Sequence, residues 1–182
     1  MRADVVERPI DPAALLREVA SDASGATSLF VGTVRDVNEE RAVTGIDYSA
    51  YAAMAVGELR AIAAEAAERY ATPHVVVEHR LGTLTLGEAS VAIAVSHARR
   101  APAMAATRYV IEEIKRRVPI WKREHYADGT REWVDPTGTG REAASAGGPP
   151  HREGSTTAAP AGTETSHAPP RAPHTDSVGA DR

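Results

Sequence analysis

The chain contains no cysteine. That absence excludes disulfides, thiolate metal sites, iron–sulfur clusters and any covalent mechanism through a protein thiol. Aromatic residues make up only 4% of the 182 positions, which weighs against a stacking platform for single-stranded nucleic acid. No apolar run approaches the roughly 20 residues needed to span a bilayer. The first residues, MRADVVERPI, carry Asp4 and Glu7 and hold no hydrophobic signal core, so a cytoplasmic protein is expected. A net charge of −4 argues against nonspecific adhesion to nucleic acid or membranes. P-loop, G-x-S-x-G, H-E-x-x-H and dinucleotide-binding fingerprints are all missing, which removes the usual nucleotide-hydrolysis, serine-hydrolase and zinc-protease readings.

Large apolar side chains are missing from one end. Pro136 to Arg182, 47 residues, includes no Leu, Ile, Phe, Met, Trp or Tyr, yet holds 7 of the 12 prolines and 7 of the 14 glycines. Such a segment cannot bury enough apolar surface to offset the entropy of ordering, so 136–182 is expected to be a disordered tail. Its histidines, His151, His167 and His174, are far apart and read as solvated spacers. Function is expected in a single domain, 1–135.

Within that domain the pattern predicts strands at Val5–Glu7, Thr27–Val34, Val43–Tyr51, His74–Arg80 and Ser90–Ser96. Helices are predicted after Asp11-Pro12, over Met54–Tyr70 and over Pro102–Val118, from apolar residues recurring every three to four positions. Gly82–Gly87 reads as a turn, and Arg35–Glu40 as a polar loop. Pro119 should stop the last helix, and Ile120–Tyr126 with Glu132–Val134 should close a hairpin over Asp128-Gly129. The expected class is α+β, a two-layer domain of helices on a largely antiparallel sheet.

The sharpest feature is again a scarcity. Of 21 basic residues only Lys115 and Lys122 are lysine, seven positions apart. An amine shifts its pKa on burial, relays protons and can act as a nucleophile, none of which a guanidinium does readily. Around them, from Ser96 to His125, lie eight Lys or Arg against three Glu, a cluster suited to an anionic ligand such as a phosphate. The bland reading is a solvated, salt-bridged helix surface. Arg35, just past a strand end, is a further ligand-facing candidate, and so is His97 after the central strand. His74 and His79, five apart on one strand, face opposite sides and make no metal pair. A rival of another class is an RNA- or nucleotide-binding module using Arg99–Arg123, with Tyr109 and Trp121 for stacking.

Three segments, FVGTVRDVN (Phe30–Asn38), HRLGTLTLGE (His79–Glu88) and IKRRVPIWKREHYADG (Ile114–Gly129), resemble the large, catalytic subunit family of molybdopterin synthase. The resemblance runs from about Gly25 to Val134. It implies an α/β hammerhead fold and a homodimer, each subunit binding one small ubiquitin-like sulfur carrier to give a heterotetramer. It implies conversion of cyclic pyranopterin monophosphate to molybdopterin by insertion of two dithiolene sulfurs, donated by the carrier's C-terminal thiocarboxylate. No cofactor and no metal are expected. Carried over residue by residue, Lys115 meets the carrier's C-terminus and Lys122 acts on the pterin, with Arg123 and Glu124 beside it. Thr33, Val34 and Arg35 match the segment that binds the substrate's anionic group. Where the family commonly shows His-Arg after the central strand, this chain has Arg99-Arg100, with His97 two residues early; substrate binding alone is carried over to that pair. A catalytically idle scaffold for a ubiquitin-like partner is the remaining alternative.

Overall fold

A computed structural model describes residues 1–134; the expected tail, 136–182, lies outside the described residues. Nine strands and three helices follow in the order β1 (Arg2–Val6), α1 (Pro12–Glu18), β2 (Ala26–Thr33), β3 (Val37–Asn38), β4 (Arg41–Ala50), α2 (Ala52–Arg69), β5 (Val75–Arg80), β6 (Gly82–Thr85), β7 (Ala89–His97), α3 (Arg100–Arg117), β8 (Ile120–Tyr126) and β9 (Arg131–Val134).

The first sheet has the order β1-β5-β7-β2, antiparallel except for the parallel β1–β5 pair. Its two inner strands are buried along almost their whole length because both faces are covered. Successive side chains of a strand point to opposite sides, and here the two sides differ in size. Val91, Ile93 and Val95 of β7, with Val75 and Val77 of β5, pack under α2 and α3. Ala92, Ala94 and Val76 face α1, which closes the other side with Leu15 and Val19. Asp11 caps α1, its carboxylate accepting from the Ala13 N–H at 2.9 Å, and Pro12 opens the helix. Helix α3 ends where expected: Val118 is already extended before Pro119.

The second sheet has the order β3-β4-β8-β9, with β6 pairing the far edge of β4. Two of its strands depart from expectation. The stretch read as a turn after Gly82 forms β6, because Leu84, fully buried, joins Val34, Val43, Ile46 and Tyr126 in a small core beneath this sheet. Part of the polar loop forms β3, closed by a two-residue turn at Glu39 and Glu40, both with positive φ. The α+β class holds, with helices on a largely antiparallel sheet. No described helix is long and apolar enough to cross a membrane.

Candidate active site

The two sheets diverge beside the C-terminal end of α3, and a cavity of about 540 Å³ opens between them. That volume lies within the range of small-molecule sites, roughly 300–1,000 Å³. Its inner wall is apolar, from Phe30, Val91, Ile111, Ile114 and Val118; Arg35, Lys115, Lys122 and Glu124 supply its charge. Gly32 is required in the wall, since a Cβ there would stand 2.8 Å from a Val91 methyl.

Lys115 reaches the cavity from the last turn of α3, one position after the buried Ile114. It is exposed, and among the described residues no carboxylate lies within salt-bridge distance of it. Lys122 reaches the same cavity from β8, beyond the Pro119 break. Alternation along β8 puts Ile120, Lys122 and Glu124 on the cavity side and Arg123 on the other,. The Lys122 ammonium donates to Glu124 Oε1 at 2.9 Å. Glu124 Oε2 accepts from the Asn38 amide and from the Tyr126 hydroxyl, each at 2.9 Å. Asn38 in turn accepts from Arg35 through its Oδ1 at 2.6 Å. One carboxylate, 2% exposed, therefore orients Lys122 directly and Arg35 through Asn38. Burial alone would raise its pKa; the bonds from Lys122, Tyr126 and Asn38 outweigh burial and hold it below its usual value,.

The sequence-derived candidates separate into two groups. Thr33, Arg35, Lys115, Lys122 and Glu124 are brought together in the cavity wall. Glu124 is committed to protein partners rather than offered to a ligand. Val34 turns away: it is 4% exposed and packs in the small core under the second sheet. Arg123 also lies outside, bonded at 2.7 Å to Asp47 and stacked over Trp133. Arg99 and Arg100 sit at the opposite end of α3 from Lys115, roughly 22 Å along the axis at 1.5 Å per residue,. His97 is used locally, its Nδ1 accepting the Arg99 N–H at 2.9 Å.

The local excess of positive charge is largely compensated in space. Arg117 is gripped by Glu58, Glu65 and Glu113, Arg108 by Glu112, and Arg116 by Glu113. Arg117 and Tyr109 hold the Glu65 carboxyl down to about 2. With the Lys122–Glu124 and Arg123–Asp47 pairs, these bonds realise the salt-bridged-surface reading for five of the eight cations, while among the described residues Lys115, Arg99 and Arg100 escape it.

On the strands, three polar cavity residues beyond Asn38 carry no ligand-facing signal in the sequence: Tyr48, His79 and Ser90. Their signal was only strand alternation, which says that a side chain is buried but not that a cavity faces it. Among the described residues no group of three or more His, Asp or Glu is placed to hold a metal.

Comparison with known proteins narrows the chemistry. Residues 5–117 match the family model described as MoaE protein. The molybdopterin synthase catalytic subunit of Oryza sativa subsp. indica is 45% identical over 148 residues, covering 79% of this chain and 77% of that protein. The subunit of the same name from Emericella nidulans is 40% identical over 124 residues, covering 68% of this chain and 64% of that protein. The match thus spans just under two thirds of the fungal relative's length. Among solved structures, molybdopterin synthase from Staphylococcus aureus superposes with a TM-score of 0.68 at 32% identity, covering 74% of this chain and 97% of that one.

Proposed function

The chain belongs to the MoaE protein family, and from that membership we propose that it is the catalytic subunit of a molybdopterin synthase, as its relatives are named. The supporting observation is that the chain's only two lysines, from separate elements, open on one cavity. The proposed reaction converts cyclic pyranopterin monophosphate into molybdopterin by inserting two sulfurs as a dithiolene. A chain without a thiol must take its sulfur from elsewhere. The proposed donor is the C-terminal thiocarboxylate of a small ubiquitin-like carrier.

The residues divide the work by their surroundings. Lys115, with no carboxylate of its own, receives the carrier's anionic C-terminus and offsets charge that builds on the carbonyl as sulfur leaves. Lys122, oriented by Glu124, faces the pterin. Arg35, oriented by Asn38, binds the phosphate together with Thr33. Arg99 and Arg100 are too far from the cavity of their own chain to touch a substrate there. Within the proposed homodimer, the core of a heterotetramer with two carriers, they serve the site of the second copy. The catalytic domain of this proposal is 1–135, working in the cytoplasm, with 136–182 as a dispensable tail.

The test is conversion of cyclic pyranopterin monophosphate by the purified chain supplied with thiocarboxylated carrier. Formation of the dithiolene product is expected. Carrier binding without product would identify an idle scaffold and end the synthase reading.

A further inference from the structure

His79 lies in the wall of the cavity and has no part in the chemistry assigned above. It occupies the last turn-ward position of β5 that faces the helices, in line with Val75 and Val77,. Its side chain is 7% exposed. The imidazole is fixed on two sides. Its Nδ1–H donates to the Arg80 carbonyl at 3.1 Å, which selects the tautomer carrying a lone pair on Nε2. The Tyr48 ring meets it edge-on, centroids 5.3 Å apart and planes at 74°. Nε2 itself has no hydrogen-bond partner among the described residues, although the residue borders the cavity.

We propose that His79 reads the substrate: its Nε2 accepts a hydrogen bond from a ring N–H of the pterin and so orients the ring in the apolar part of the cavity. His79 gives the cavity wall an imidazole whose Nε2, in this tautomer, can only accept,. The Ser90 hydroxyl donates its proton to the Gly32 carbonyl at 3.1 Å, and the Tyr48 hydroxyl borders the same cavity. Phe30, Val91 and Ile111 offer only apolar contact. A cavity with cations at one part and an acceptor-only ring nitrogen beside apolar side chains fits a ligand with an anionic group and a flat, N–H-bearing ring,. Burial holds the imidazole pKa down at about 4, so the lone pair is available at neutral pH. The pterin's identity as the ligand rests on the synthase reading.

The experiment compares the full chain with His79→Phe and His79→Leu, which lack an acceptor, and His79→Gln, whose amide oxygen reaches the Nε2 position. Calorimetric Kd for cyclic pyranopterin monophosphate, kcat and KM with thiocarboxylated carrier, and Tm are measured for each. Loss of one hydrogen bond predicts that Phe and Leu weaken Kd and raise the pterin KM about tenfold, with kcat and the carrier KM nearly unchanged. His79→Gln should recover most of the loss. An unchanged Kd in both Phe and Leu variants overturns the inference. So does a rise confined to the carrier KM, which would put a backbone N–H of the carrier on Nε2. Equal weakening in all three variants with lowered Tm would make His79 a packing residue only. If the wild-type chain binds pterin but makes no product, the synthase reading falls while the Kd comparison still decides on His79. If it binds no pterin, both fall.

Discussion

Lys122 and Glu124 stand two residues apart on one face of β8, 2.9 Å from ammonium to carboxylate, with the carboxylate 2% exposed. The lysine that the proposal aims at the pterin is thus held by a buried counter-charge, which also reaches Arg35 through Asn38. Replacing that carboxylate by an amide keeps its volume but removes its charge. It also puts an N–H where Asn38, Tyr126 or Lys122 now donates.

Glu124→Gln is therefore expected to lower turnover by roughly tenfold to a hundredfold, the scale of losing a charge-assisted bond. Carrier affinity, assigned to Lys115, should stay close to wild type. Steady-state turnover and calorimetric carrier binding measure the two effects separately. Unchanged turnover would remove Glu124 from the positioning of Lys122.

Lys115→Ala should reduce product formation by at least about a hundredfold, as for loss of a group that stabilises developing charge. Its exposed position and lack of a carboxylate partner predict almost no change in Tm. Single-turnover assays with saturating carrier distinguish a chemical defect from weak binding. Wild-type rates in that variant would take Lys115 out of the mechanism.

The two lysines were legible because arginine is used everywhere else, and an exception in a biased chain is visible without a fold. Asp11-Pro12, Pro119 and Asp128-Gly129 were legible because their signals are local: a cap, a helix stop and a turn. Strand β6 was not, since the four residues from Gly82 to Thr85 become a strand only when β4, far back in the chain, supplies the partner for Leu84. The charge cluster misled for the same reason. Arg117 is neutralised by Glu58 and Glu65 of α2, and Arg123 by Asp47 of β4, none of which a local count includes. The ligand-facing place of His79 is not legible, because a cavity between two sheets has no sequence signature.

On the outer face of the second sheet, Asp47 accepts from Arg123, His125 and Thr83 at 2.7 to 2.8 Å. Burial would raise its pKa, but these bonds prevail and bring it to about 2. A depressed carboxylate stabilises the fold above its unfolded value and loses that effect as pH falls through the folded one. Asp47→Asn should therefore cost about 2 kcal/mol at pH 7 and at pH 5, with the gap to wild type narrowing at pH 3. Urea denaturation at the three pH values checks this. Turnover at neutral pH should change by no more than about twofold, because Asp47 and Arg123 lie outside the cavity wall.

A chain ending at Asp135 should turn over at the full-length rate. The 47 residues removed carry none of the large apolar side chains that build a core or a binding pocket,. Side-by-side kinetics of the two chains measure this, and a loss beyond about threefold would assign the tail a role in the reaction.

Arg100 provides the test of assembly. It lies roughly 22 Å along α3 from Lys115,, further than an arginine side chain can span. If it binds substrate, it does so in the cavity of a second copy. Arg100→Ala and Lys115→Ala should then each be nearly inactive alone yet complement when mixed and allowed to exchange subunits. Random pairing makes half the dimers mixed, and each mixed dimer holds one site with Lys115 from one chain and Arg100 from the other. The mixture should recover about a quarter of wild-type activity. A mixture no better than its components, with exchange verified by native mass spectrometry, would confine each site to a single chain and leave Arg100 without a substrate.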